Sequence, residues 1–159
     1  MSTKIIALGH KQPKWMTAAC DDFLVRLPKT YHPKIETLPL AVRPQTGYDA
    51  NQAKLFKKTE ADLVLKKIQP EDAIIALHPT GKFYSTPEFS ECLSEWQLHY
   101  KNIIFLIGGP DGLCDTLLNR ANYKLSLSSF TFPHTLAKVI LIEQLYRAYT
   151  LQKNHPYHR

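Results

Sequence analysis

The chain ends Asn154-His155-Pro156-Tyr157-His158-Arg159. Two imidazoles, a phenol and a guanidinium around a rigid proline can stack on an unstacked RNA base and hydrogen-bond its edge. A frayed terminus is the competing reading. His155 and His158 have a His-x-x-His spacing that could ligate a metal, but no cysteine or second acid lies near in sequence, so no metal is expected. Upstream, Glu143 and Arg147 stand at i and i+4 in the apolar stretch "TLAKVILIEQLYRAYTL". As a plain helical ion pair they are worth a few tenths of a kcal/mol. As polar groups in a helix that is apolar around much of its circumference, they mark a satisfied network or a functional site.

Two loops carry a second kind of chemistry. "GGPDGL" follows an apolar run; Gly108 and Gly109 let a ligand approach the main chain, and Asp111 and Gly112 precede the next helix. A nucleotide-like cofactor would fit there, and so would a tight strand-to-helix turn with no ligand. The motif is neither GxGxxG nor a Walker loop, which argues against Rossmann dehydrogenases and kinases. "YKLSLSSFTFPH", residues 123–134, runs from a short strand through small hydroxyl residues to Pro133; it offers backbone groups without bulk, or simply caps a helix.

These groups need a frame. Lys4–Leu8 is a short β-branched run stopped by Gly9, and Trp15–Leu27 has helical apolar spacing up to Pro28. Lys34–Leu40 alternates as a strand does, and 41–51, polar with Pro and Gly, reads as a mobile loop whose Arg43 is either solvated or reaches a phosphate. The pattern then predicts a helix over Gln52–Ile68, a strand over Asp72–Leu77 followed by the loop "HPTGKFYSTPE", and a helix over Thr86–Tyr100 opened by a capping-type Thr86 and Pro87. A fully apolar strand follows over Asn102–Ile107, and the last helix covers Thr135–Leu151. Apolar strands alternating with helices make an α/β fold with a parallel sheet covered on both faces. Ligands bind such sheets beyond the carboxyl ends of the strands, which directs attention to the loops after Leu77 and Ile107.

The 159 residues amount to one domain. The net charge of +6 suggests a polyanionic partner, and its distribution sharpens the point: beyond Asp115 come Arg120, Lys124, Lys138, Arg147, Lys153 and Arg159 against the single acid Glu143. Three widely spaced cysteines, Cys20, Cys92 and Cys114, fit reduced thiols and a cytoplasmic location. No signal peptide or membrane span is expected.

Taken in order, "LIGGPDGL", "LSLSSFTFPHTLAKVILIEQLYRAY" and the terminal "NHPYHR" resemble the RlmH family, the large-subunit ribosomal RNA pseudouridine N3-methyltransferases of the SPOUT superfamily. The resemblance runs over essentially the whole chain, including the "LGHKQPKWM" start. It implies one SPOUT methyltransferase domain over 1–159, with a mainly parallel sheet flanked by helices and a C-terminal trefoil knot. It further implies a homodimer that binds S-adenosylmethionine, without metal or membrane. By position it places cofactor contacts at Leu77, Gly108, Gly109, Ser128, Ser129, Phe130, Thr131, Phe132 and Pro133. The implied substrate is the pseudouridine at position 1915, in helix 69 of 23S ribosomal RNA, methylated in the assembled 70S ribosome by this family. Lys138 stands where many members carry arginine, losing the planar fork that makes bidentate phosphate contacts.

The chemistry that such a reaction demands can be stated separately. The ring N3–H, flanked by two carbonyls, must lose its proton before or during attack on a sulfonium methyl. His134 and Glu143 are the candidate proton acceptors, Arg147 and Arg159 the candidate stabilisers of charge on the ring oxygens, and His155, Tyr157 and His158 candidates for holding the base. Two other readings compete: a SPOUT methyltransferase acting on transfer RNA or a ribose hydroxyl, and a non-enzymatic ribosome-associated nucleotide-binding module.

Overall fold

The computed structural model describes residues 2–158. Five strands and five α-helices follow one another: β1 (Ser2–Leu8), α1 (Lys14–Leu24), β2 (Lys34–Leu38), α2 (Ala50–Leu65), β3 (Ala73–Phe83), α3 (Thr86–His99), β4 (Asn102–Ile107), α4 (Asp115–Arg120), β5 (Tyr123–Ser126) and α5 (His134–Gln152). Single 3-10 turns lie at Lys29–Tyr31 and Pro156–His158. The strands form one sheet in the order β2-β1-β4-β3-β5, and every pairing is parallel, as the apolar runs predict.

Strand periodicity divides the core in two. Ile5, Ala7, Ile75, Ile103 and Phe105 point to one face and pack with Phe89 and Trp96 of α3 and Leu141, Ile142 and Leu145 of α5. Ile6, Leu8, Ile74, Ile104 and Leu106 point to the other and meet Ala61 and Val64 of α2 and Leu117 of α4. Each such fully buried aliphatic or aromatic side chain stabilises the fold by roughly 1.5–3 kcal/mol. The central strands are therefore the rigid platform from which the loops project.

Element ends depart from the sequence expectation for local reasons. β2 stops at Leu38 because Pro39 has no amide to donate. α2 begins at Ala50 because Asp49 and Gln52 close a capping box, with Asp49 Oδ1 accepting from Gln52 N at 2.8 Å and Gln52 Oε1 from Asp49 N at 2.9 Å. In α3 the cap is Ser85, not Thr86: Glu88 Oε2 accepts from Ser85 N at 2.7 Å, while the Thr86 hydroxyl donates to Gln144 Oε1 of α5.

The largest departure is β3. The stretch expected to be a loop after Leu77 is an excursion within the strand: Leu77 and Lys82 both pair with Leu125, so 78–81 loop out before the strand resumes beside β5. Gly81 permits the return, since a Cβ there would stand 2.6 Å from the Leu125 carbonyl carbon. The displaced residues are thereby held at the carboxyl end of the sheet.

Candidate functional site

The carboxyl ends of β3, β4 and β5 enclose a cleft of about 420 Å³, within the range of small-molecule sites. Leu77, His78 and Pro79 come from the β3 excursion, Ile107 to Leu113 from the loop after β4, and Ser126 to Phe132 from the loop after β5. His134 and Ala137, in the first turn of α5, close the remaining side. All of the expected cofactor residues but one line it: Leu77, Gly108, Gly109, Ser128, Ser129, Phe130, Thr131 and Phe132. Pro133 lies beside the cleft as the N-cap of α5, where its fixed φ starts the helix.

Local hydrogen bonds shape these walls. Gly112 N donates to Gly109 O at 3.0 Å, making the turn of the β4 loop, and Gly112 holds φ +79. A Cβ at Gly108 would stand 2.7 Å from the Gly112 carbonyl carbon, so that glycine is explained by the turn alone. In the β5 loop, Ser128 Oγ accepts from Phe130 N at 2.9 Å and Ser126 Oγ donates to Ser128 O at 3.1 Å. The hydroxyls therefore fold the segment on itself where it lines the cleft. Among the described residues the amides of Ser129, Thr131 and Phe132 donate to no protein acceptor. Apolar Leu77 and Ile107 at the floor, with free amides along one wall, suit a flat heteroaromatic ring with polar edges, which is what the adenine of S-adenosylmethionine presents.

A network that the sequence did not announce braces the β4 loop from behind. Arg43 Nε donates to Asp111 Oδ2 at 2.9 Å, its Nη1 donates to Glu60 Oε1 at 2.7 Å, and its Nη2 lies 2.8 Å from Asp111 Oδ2 off the donor axis. Glu60 Oε1 also accepts from Ala41 N at 3.0 Å, and the Tyr48 hydroxyl donates to Asp111. Burial lowers the proton affinity of Arg43, but the bonds to Glu60 and Asp111 more than offset that and hold it above the ordinary arginine value. The side chain is thus neither solvated nor available to a phosphate, which corrects both readings of Arg43, while 41–49 is a loop as expected. The signal was present only as single residues, 17 and 68 positions apart.

The C-terminal residues assemble elsewhere. Arg147 donates to Glu143 Oε1 through Nε at 3.0 Å and Nη2 at 2.6 Å. The Tyr157 hydroxyl donates to the same oxygen at 3.3 Å, Gln144 Nε2 donates to Glu143 Oε2 at 2.6 Å, and Arg147 Nη1 donates to Tyr157 O at 3.4 Å. The guanidinium lies over the Tyr157 ring, 4.9 Å from its centroid, and that ring packs on Tyr146. Burial, then the Glu143 charge, raises the Tyr157 phenol above its ordinary pKa, so it stays a donor at neutral pH. His155 Nδ1 accepts from Tyr157 N at 3.3 Å and so shapes the terminal turn. Arg159 and the side chain of His158 lie outside the described residues.

His134 belongs to the cleft and not to that cluster: it stands nine positions before Glu143 on α5, about 13 Å along the helix. Burial, then Lys138, then His10 lower its pKa, so the imidazole is neutral at pH 7 and able to accept a proton. Glu143, by contrast, already accepts from Arg147, Tyr157 and Gln144. Of the two candidate bases, the structure leaves His134 the freer acceptor. Cys20, Cys92 and Cys114 are free thiols, no group of metal-ligating side chains is present among the described residues, and no helix there is long and apolar enough to cross a membrane.

The sequence comparisons bear on this arrangement. A family model described as predicted SPOUT methyltransferase matches residues 1–158. The chain is 43% identical over its full length to "Ribosomal RNA large subunit methyltransferase H" of Saccharophagus degradans, and 40% identical to the protein of that name from Francisella philomiragia, covering 100% of each relative. It is 35% identical to the protein of the same name from Acinetobacter baumannii strain AYE, covering 99% of that relative. A full-length family match, full-length relatives and a parallel α/β sheet with a cleft at its carboxyl edge agree: the chain belongs to the SPOUT methyltransferase family.

Proposed function

We propose that this methyltransferase transfers a methyl group from S-adenosylmethionine to N3 of the pseudouridine in helix 69 of 23S ribosomal RNA, in the assembled 70S ribosome, and that it acts as a homodimer. The observation that carries the reading is the division of the site: the cofactor cleft lies at the first turn of α5, and the Glu143–Arg147–Tyr157 cluster lies near its far end. Arg147 lies 13 positions beyond His134 on α5, about 20 Å along the helix, which supports a site shared between two protomers. A second copy can bring cleft and cluster to a single base by laying its C-terminal turn over the first copy's cleft. Phe130, 79% exposed at the rim, offers apolar surface for such a contact. The C-terminal trefoil knot of the family is part of the same proposal, as the device that folds 126–133 around the cofactor.

When bound, S-adenosylmethionine supplies an electrophilic methyl carbon on a sulfonium. The free amides of Ser129, Thr131 and Phe132 and the apolar floor at Leu77 and Ile107 would hold it, and the braced β4 loop would form the third wall. His134 stands at the rim as the acceptor for the N3 proton. Arg147, oriented by Glu143 and by the Tyr157 carbonyl, places positive charge where the deprotonated ring carries negative charge on its oxygens. Tyr157 and the terminal residues hold the base in place. The relatives named as ribosomal RNA methyltransferases, and the basic last quarter of the chain, support RNA over a small-molecule substrate.

The test is methyl transfer from labelled S-adenosylmethionine to intact 70S ribosomes, to separated 50S subunits, and to 70S ribosomes lacking the helix 69 pseudouridines, with the label mapped by nuclease digestion. Labelling of the first substrate alone, at one pseudouridine of helix 69, is expected. Labelling of transfer RNA instead would redirect the assignment within the family, and absence of cofactor binding would favour a non-enzymatic module.

A further inference from the structure

Lys138 is the one lysine that the fold buries, at 4% exposure, and no acceptor among the described residues takes a hydrogen bond from its ammonium. Its stem is buried while its ammonium keeps contact with solvent, as a long cationic side chain does when it reaches a polar opening. It faces a second cleft of about 300 Å³, distinct from the first, between the β1–α1 loop, the end of β2 and α5. His10, Lys11, Gln12, Thr17 and Thr37 line that cleft with it. Its one acid is Asp21, exposed and not paired with Lys138. α1, 11 residues long, starts at this cleft from Pro13 with no side-chain cap, so the positive end of the helix adds to the lysines.

We infer that this cleft is a binding site for a backbone phosphate of the RNA substrate, with Lys138 as its inner cation and His10, Lys11 and the Gln12 and Thr17 side chains as further donors. The inference rests on the RNA methyltransferase reading. Three observations favour an RNA phosphate over the carboxylate of the cofactor. The two clefts share no lining residue, His134 standing at the first and Lys138 one helical turn further along α5. The mouth is exposed at His10 and Lys11, which suits a chain passing over the surface. The same loop-to-helix junction carries Trp15, 63% exposed, an aromatic face of the kind on which unpaired bases stack. A compact ammonium on a flexible stem makes a point contact to phosphate without the bidentate geometry of arginine, so the absence of the planar fork does not disable the site.

Depressed proton affinity agrees with this placement. Burial lowers the Lys138 pKa, and Cys20, buried beside it, only partly counters that. An anion in the cleft would reverse the shift.

The experiment measures affinity for vacant 70S ribosomes by co-sedimentation over a potassium chloride series, for the wild type, Lys138→Met, Lys138→Arg and the surface variant Lys11→Gln. Cofactor affinity is measured in parallel by calorimetry. Lys138→Met is expected to weaken ribosome binding about tenfold and to reduce the slope of log K against log salt by about one, with cofactor affinity unchanged and Lys138→Arg largely restored. Lys11→Gln, which cannot disturb the core, should show a smaller loss in the same direction. If ribosome affinity and slope are unchanged in both neutral variants, the inference is overturned; if only cofactor affinity falls, the cleft serves the cofactor and it is likewise overturned. A wild type that methylates no ribosomal RNA would overturn the underlying function instead.

Discussion

Two clusters in this molecule are built from the same parts, an arginine, a carboxylate, a tyrosine and an aromatic ring under the guanidinium, and they do different work. Arg43 lies over Phe56 and joins Glu60 of α2 to Asp111 of the β4 loop, with Glu60 1% exposed. Arg147 lies over Tyr157 and binds Glu143 four residues earlier on its own helix, with 29% and 17% of the two side chains exposed. The first cluster ties together segments distant in sequence, beside the apolar packing of Leu113 with Ala61 and Val64, in a setting where an unpaired charge is expensive. In the second, the Glu143–Arg147 pair spans one turn of a helix that would form without it, where such a pair is worth only a few tenths of a kcal/mol, and its other contacts reach only the adjacent Gln144 and the terminal turn at Tyr157. What the second cluster contributes is therefore sought outside folding, in a group presented to a partner.

Breaking the buried cluster should have the larger effect on stability. Arg43→Met leaves Glu60 charged under the β4 loop with only the Ala41 amide as a partner, at an expected cost of about 3–5 kcal/mol. For a chain of this size that is a drop of roughly 10 °C in melting temperature. Cofactor affinity should fall with it, because Asp111 loses its anchor. A melting curve within about a degree of wild type would show that the network is incidental, and the contrast between the clusters would collapse.

The exposed cluster should respond the other way. Arg147→Ala is expected to change unfolding free energy by about 1 kcal/mol or less while lowering kcat by about 100-fold or more. Mixing that variant with Gly108→Ala, whose added Cβ would meet the Gly112 main chain, should recover part of the activity through hybrid dimers. Each hybrid holds one intact cleft and one intact cluster. Failure of any mixture to recover activity would place both halves of the site in one protomer.

The same contrast explains what could be read from the chain. Apolar runs such as Asn102–Ile107 determine a strand by themselves, so the parallel sheet was legible, and Glu143 with Arg147 could be paired because helical spacing alone brings them together. Two loops, after Leu77 and Ile107, were also legible as the walls of a site, because strands of a parallel sheet present their carboxyl ends together; the third wall, at 128–132, was expected only through the family resemblance. Arg43, Glu60 and Asp111 carried no such periodicity; their meeting depends on how a loop and a helix pack against the β4 turn. The β3 excursion was missed for a related reason. Pro79 and Gly81 signal a break, and only pairing with β5 carries the strand past it. Lys138 was read as a departure from a pattern, while its burial without a partner follows from the packing of α5 on α1.

The smallest effect concerns His134, where the cleft and the phosphate site meet. Its folded pKa lies below the ordinary 6.5 through burial first, then Lys138 and His10. Between the two values the unfolded chain binds more protons than the native one, so stability should rise with pH through that window, be fully present above 6.5, and be lost as pH falls through the folded value. Lys138→Met removes the second cause and leaves the first, so the imidazole should titrate closer to 6.5 without reaching it, and the slope of stability against pH should shrink. Proton NMR of the ring, with melting temperatures between about pH 7 and about pH 5, reads both. An unshifted imidazole in the variant would mean that Lys138 does not set the charge state of His134, and the two clefts would then be electrostatically independent.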